Sequence, residues 1–362
     1  MATHIALEAQ SQRSGPVPGL PATGRGPLSG ALLQVLGPGR ADPTGFEALA
    51  AACRDLEPSP SVLHDDDLQL TLFLLYALAY GSLGPSSDAL EWDLGLLRVR
   101  QHLETLHEAE LRRRVLNGPL PQPAPDMRGV AEALFELTAA DQGPGLSHYA
   151  LRHASAGQLR ELLVLRSVYT LREADPHSWA LPRLAGPAKA ALVEIQSDEY
   201  GGGRFDRMHS TLYAAAMRGA GLPDGQLDHL DVVPALTLAT HNTMSLFGLN
   251  RRLLGALVGH LAAFEMTSSL PNARYRDAYT RAGFGADVTA YFTEHVQADA
   301  VHEQVAAYDL AGGLAQAEPA RVPDIMFGAA ASLLMDGLVA AHVLTRWEAG
   351  DSALRKPVDV AA

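Results

Sequence analysis

A chain of 362 residues with 47% apolar content holds enough hydrophobic material for one large domain or two of ordinary size. Its 28 Lys and Arg stand against 41 Asp and Glu, a net charge of −13, which argues against nucleic-acid binding, where a basic surface is needed. The single cysteine, Cys53, excludes an intrachain disulfide and any cysteine-based zinc or iron–sulfur site within one chain, and points to a reducing, cytoplasmic compartment.

Residues 1–28 are rich in Gly, Pro, Ser and Thr, read as a disordered tail, and lack the pattern of a signal peptide. Residues 29–128 read as a helical accessory region ending in a Pro-rich linker, NGPLPQPAPDMR. Within it, Ser29 and Thr44 are candidate helix caps, and Asp65–Asp67 open LQLTLFLLYALAY. Residues 129–350 form the main helical domain, and 351–362 a C-terminal tail. Long period-2 strand patterns, a Gly-rich phosphate loop and a nucleophile elbow are all missing, so the fold class is all-α. The longest apolar runs, Leu68–Leu83 and Phe327–Leu344, read as buried core helices, and no membrane span is expected. The first is short and the second carries Asp336 and His342.

Four helical stretches of the main domain carry metal-binding chemistry. In Ser155–Ala174, Glu173 continues the face of Tyr169, Arg166, Leu162 and Leu159, at the end of the helix; a surface glutamate is the competing reading. In Pro187–Ala220, Glu199 and His209 lie about 15 Å apart on an ideal helix, too far for one site unless the chain distorts. Gly201–Gly203 is where a break or π-bulge is easiest. Asp206, three residues before His209, is the alternative carboxylate to Glu199. In Ala235–Ser268, Glu265 sits on the face of Leu261, Val258 and Leu254, where an unpaired carboxylate is costly.

The fourth stretch, Tyr291–Val305, places His295, Asp299 and His302 at i, i+4 and i+7, within roughly 60° of one helix face. Asp287 is a candidate N-cap for it, and Gly312-Gly313 a candidate stop. Pooled, Glu173, Glu199, His209, Glu265, His295, Asp299 and His302 offer imidazoles and carboxylates without thiolate. That set suits two non-haem irons or manganese better than one zinc. Arg166, His241, Asn242 and Arg251 are candidates for holding a substrate carboxylate, with a structural role as the competing reading.

The segments DEYGGGRFDRMHSTLY and EHVQADAVHEQ resemble the haem-oxygenase-like diiron oxidases and oxygenases, and among them the iron-containing redox enzyme group. The likeness covers roughly residues 129–345 and extends loosely over the N-terminal helices. It implies a haem-oxygenase-like helical bundle binding two Fe ions, with O2 as co-substrate and room for an external electron donor. It places Glu173 on the first core helix, Glu199 and His209 on the second, and His295, Asp299 and His302 on the third, with Glu265 able to join the cluster. The spacing is most similar to the amino-acid N-oxygenases, implying oxidation of a small-molecule amine to a hydroxylamine or nitro product in natural-product biosynthesis. No cupin domain follows, so a nitroso-forming rearrangement is not expected. Oxidative C–C cleavage or desaturation of an amino or fatty acid is the alternative, and iron storage or regulation without turnover is the alternative of another class. A homodimer through the N-terminal helices is also implied by the resemblance.

Overall fold

The structure, a computed structural model, describes residues 20–37, 43–56, 61–141 and 143–356, without the side chains of residues 43, 86 and 297–301. Every regular element among them is helical, as the sequence patterns require. The first four helices are α1 (Pro27–Leu36), α2 (Pro43–Arg54), α3 (Asp66–Ala79) and α4 (Leu94–Val115). Then come α5 (Met127–Ala140), α6 (Leu146–Arg152), α7 (Ala156–Thr170), the single turn α8 (Asp175–Ser178), α9 (Gly186–Glu199) and α10 (His209–Gly219). The C-terminal part contains α11 (Ala235–Leu249), α12 (Leu254–Arg281), α13 (Ala286–Gln304), a π-helical segment (Val305–Gly312), α14 (Gly313–Ala317) and α15 (Val322–Glu348).

Polar side chains set several helix starts. Asp65 accepts from the Asp67 and Leu68 amides before α3, Asp93 from Leu96 before α4, and Asp126 from Gly129 before α5. Ser155 and Gln158 form a reciprocal capping box at α7. The helices α3 and α11 are buried on nearly all sides and pack against one another. A polar chain crosses that contact. Gln69 Nε2 lies 3.0 Å from His107 Nδ1, His107 Nε2 lies 2.9 Å from Thr243 Oγ1, and the Asn242 amide donates to both Gln69 oxygens. These bonds fix the register of the N-terminal helices on α11, with Asn242 Oδ1 the one atom of that polar chain left without a partner among the described residues.

The helices α12 and α15 are each long and apolar enough to cross a membrane by length and composition. Here they pack extensively on each other. Gly259 and Gly328 let the two backbones approach: a Cβ at Gly259 would run into the Ile325 carbonyl, and one at Gly328 into the Ala256 carbonyl.

Several boundaries differ from the sequence reading. The stretch 187–220 is two helices, because Gly201, Gly202 and Gly203 all take positive φ, a region that ends an α-helix. The stretch 235–268 is also two, broken at Asn250, whose backbone is extended. Gly312-Gly313 does not stop the chain; both residues are helical, and the helix runs on through π geometry to Ala317. Asp287 lies inside the first turn of α13 instead of capping it. Residues 1–19 and 357–362 of the two expected tails lie outside the described residues. Residues 20–28 are held in place: Arg25 donates to the carbonyls of Leu230 and Val233 and pairs with Asp66. Near the other end, the Ala353 amide donates to Glu161 and the Arg355 amide to the Val232 carbonyl.

Candidate metal centre

The glycine break brings Glu199 and His209 together. Glu199 ends α9, His209 begins α10, and the intervening turns fold back so that His209 Nδ1 lies 3.1 Å from Glu199 Oε2. That approach lacks hydrogen-bond alignment, and neither atom has another partner among the described residues. Asp206 is exposed and paired with Arg204, away from the cluster. Of the two carboxylates, Glu199 is the one that lies against His209.

Glu173 follows α7 in a tight turn rather than continuing the helix, and is buried. Tyr291 Oη donates to Glu173 Oε2 at 2.8 Å, and His295 Nε2 lies 3.6 Å from the same oxygen. The other ring nitrogen, His295 Nδ1, lies 2.9 Å from the Tyr291 carbonyl. A carbonyl only accepts, so Nδ1 carries the proton and Nε2 presents a lone pair toward Glu173 and His209. The rings of His209 and His295 are 4.2 Å apart.

Glu265 reaches in from α12 and His302 from α13, with His302 Nδ1 3.5 Å from Glu265 Oε2 and without a hydrogen-bond partner. His302 Nε2 meets Asp198 Oδ2 at 2.9 Å, which places the donor proton there and leaves Nδ1 facing inward.

Ligand atoms of Glu173, His209 and His295 thus lie within 4.8 Å of one another, as do those of Glu199, Glu265 and His302, and all six residues are buried. Asp299 is on α13, but its side chain lies outside the described residues. Without a cation the charges balance internally. Burial pushes the Glu199 carboxyl up, but His209, His295 and His302 outweigh it and hold it down at about 2. Burial lowers His302, yet Glu265 and Asp198 bring it up to about 9; Glu199 likewise raises His209 against burial. Unaligned lone pairs converging on shared points, from nitrogen and carboxylate oxygen alone, fit a pair of first-row metal ions.

Of the proposed substrate contacts, His241 and Asn242 lie in the packed α3–α11 contact, His241 against the rings of Phe73 and Tyr80. Arg251 is exposed in the turn before α12. These three do not join the site. Arg166 remains, its guanidinium carbon 5.6 Å from the Tyr169 ring centre and 5.3 Å from that of Tyr275. The supporting residues Asp198 and Tyr291 were not singled out from sequence. Their only signals are adjacency to Glu199 and a four-residue step before His295 on one helix face.

Residues 160–337 match the family model described as iron-containing redox enzyme, a range that contains all six clustered residues. A nitrosourea synthase from Streptomyces achromogenes subsp. streptozoticus is 31% identical over 160 residues, covering 44% of this chain and 34% of that protein. The match thus spans about a third of the relative's length.

Proposed function

We propose, from the premise that residues 160–337 belong to the iron-containing redox enzyme family and make the chain an oxidoreductase, that the two ligand groups each hold one iron and that the chain uses O2 to oxidise the amine of an amino-acid substrate. The observation that carries the reading is the pair of buried three-residue groups, joined where His209 Nδ1 and Glu199 Oε2 face each other without a hydrogen bond. When bound, the irons supply the activation of O2, chemistry that no side chain provides.

Glu173, His209 and His295 would hold one ion, and Glu199, Glu265 and His302 the other, with Asp299 of α13 available as a seventh ligand. Tyr291 fixes the rotamer of Glu173, and its own carbonyl fixes the tautomer of His295. Asp198 does the same for His302 from the surface side. Burial of the Tyr291 ring beside these groups, with Tyr213 packed against it, excludes water from that side of the site. The amine-directed reading draws on the likeness to a nitrosourea synthase over 160 residues.

The test begins with anaerobic Fe(II) loading, desalting and measurement of iron per chain. Reaction under ¹⁸O2 with lysine, arginine and related amino acids is then followed by mass spectrometry. Label on nitrogen supports the proposal. A shortened carbon skeleton or a new alkene without an N–O product would transfer the assignment to oxidative C–C cleavage or desaturation. O2 consumption indifferent to every substrate would favour iron storage.

A further inference from the structure

The three carboxylates of the two ligand groups share a support. Glu173, Glu199 and Glu265 each stand on a segment bonded to the single turn α8, whereas His209, His295 and His302 come from α10 and α13. Glu173 lies just before α8, in the turn that the Arg172–Asp175 ion pair closes at 3.2 Å. Glu199 is flanked on α9 by Gln196 and Tyr200. Gln196 Nε2 donates to the Ala174 carbonyl at 3.0 Å and to Ser178 Oγ at 3.1 Å. Tyr200 Oη donates to Asp175 Oδ1 at 2.8 Å and lies 2.9 Å from Ser178 Oγ. Glu265 stands on α12, little more than a turn beyond His260, and His260 Nδ1 lies 3.2 Å from His177 Nε2 of α8.

The His177–His260 pair is the informative link. Both rings are 3% exposed, and His260 packs against Phe247 and Phe264, with ring centres 6.1 Å from each. Two apolar side chains of like volume would fill that space without desolvating two imidazoles. What the pair adds is direction. A hydrogen bond sets a distance and an angle between α8 and α12, which apolar contact alone does not.

We propose that α8 is a brace for the carboxylate side of the centre, with His177 and Tyr200 as positioning residues that act through the carboxylates and not as ligands. Through His260, His177 fixes the segment of Glu173 relative to the helix of Glu265, so it serves both ligand groups. Tyr200 ties down Glu199 and so serves one. This rests on the reading of the six residues as two ion sites. Carboxylates supported from behind in this way lose little freedom when an ion binds.

Anaerobic titration of the metal-free full chain with Co(II), followed by its visible ligand-field bands, tests the proposal. His177→Leu should weaken both ions at least about tenfold, the usual cost of losing a residue that orients metal ligands. His177→Gln, whose amide can stand in for Nε2, should restore both. Tyr200→Phe removes only a hydroxyl from a partly exposed ring; it should weaken one ion and leave the other, and it decides alone if His177→Leu does not fold. Unchanged affinity in His177→Leu overturns the proposal. So does an equal loss in the Leu and Gln variants, which would mark the ring as packing, or a Tyr200→Phe chain that binds both ions as before. Should the unsubstituted chain take up no Co(II), the reading of two ion sites falls, and crystal structures of the metal-free chain with and without His177→Leu judge the brace. Displaced Glu173 and Glu265 side chains uphold it, and carboxylates that stay in place overturn it.

Discussion

At the scale of single residues, the site is decided by which ring nitrogen of each histidine carries the proton. The Tyr291 carbonyl holds it on His295 Nδ1, and Asp198 holds it on His302 Nε2, so the inward lone pair is Nε2 in one ring and Nδ1 in the other. Under the proposed assignment, His295→Ala and His302→Ala strip different ions. Each should lower the iron retained after anaerobic loading and desalting from two per chain to one, and the double variant to none. Two tightly held irons in either single variant would remove α13 from the centre. Histidines at i and i+7 of α13 were readable from sequence because helical period alone puts them on one face. The tautomer was not readable, since Asp198 sits on a different helix and reaches His302 only through the tertiary fold.

At the scale of helices, glycine does more than one job. Gly201–Gly203 end α9 through positive φ, which is what their run suggested. Gly312 has a helical backbone, and its missing side chain serves packing instead, because a Cβ there would lie 2.6 Å from Met127 Cα. The break after α11 carries no such signal, since Asn250-Arg251-Arg252 interrupts an apolar pattern that continues on both sides. The close contact of α12 with α15 gives the sharpest test at this scale. Gly328→Ala places a methyl against the Ala256 carbonyl, and backbone cannot turn aside as a flexible side chain can. Overpacking of this kind costs about 1–3 kcal/mol, occasionally more. Chemical denaturation should show that loss for Gly328→Ala, whereas Gly337→Ala, with open space around it on the same helix, should show none. Equal midpoints for the two variants would contradict the packing argument.

At the scale of the whole molecule, four neutral histidines tie stability to pH. Burial lowers His107 and His177 to about 4 and His241 to about 3, and it lowers His260 well below its ordinary value. Above pH of about 6.5 neither the folded nor the unfolded chain protonates them, and their contribution is complete. As pH falls from about 6.5 towards about 4, the unfolded chain takes up protons that the folded chain refuses, and stability drops by up to about 1.4 kcal/mol per pH unit for each histidine. Glu104 and Asp336, raised by burial, act in the opposite sense, so the net slope is smaller than four protons. Urea midpoints measured from pH 7 to 4.5 should fall steadily, and a flat profile would contradict the burial of these rings as neutral groups. The helical class and the clustered residues were legible in the sequence because both follow from local period and ligand chemistry. The partners of the ligands were not, because Asp198 and Tyr291 reach His302 and Glu173 only across the tertiary fold.

The six clustered residues come from five separate segments between Glu173 and His302. In polymer terms, an ion joining Glu173, His209 and His295 is a cross-link that closes two loops of chain, and the ion joining Glu199, Glu265 and His302 closes two more. The segment 200–208 is then a short strand of a network, pinned at Glu199 by one junction and at His209 by the other. Under the proposed assignment, chelation should turn it into slack chain. Its Arg204 and Arg207 are already exposed, so trypsin should cut there first in the metal-free protein, and restored Fe(II) should slow the cut. Cleavage elsewhere, or cleavage here that ignores the metal, would mean that the network has no junctions at these residues.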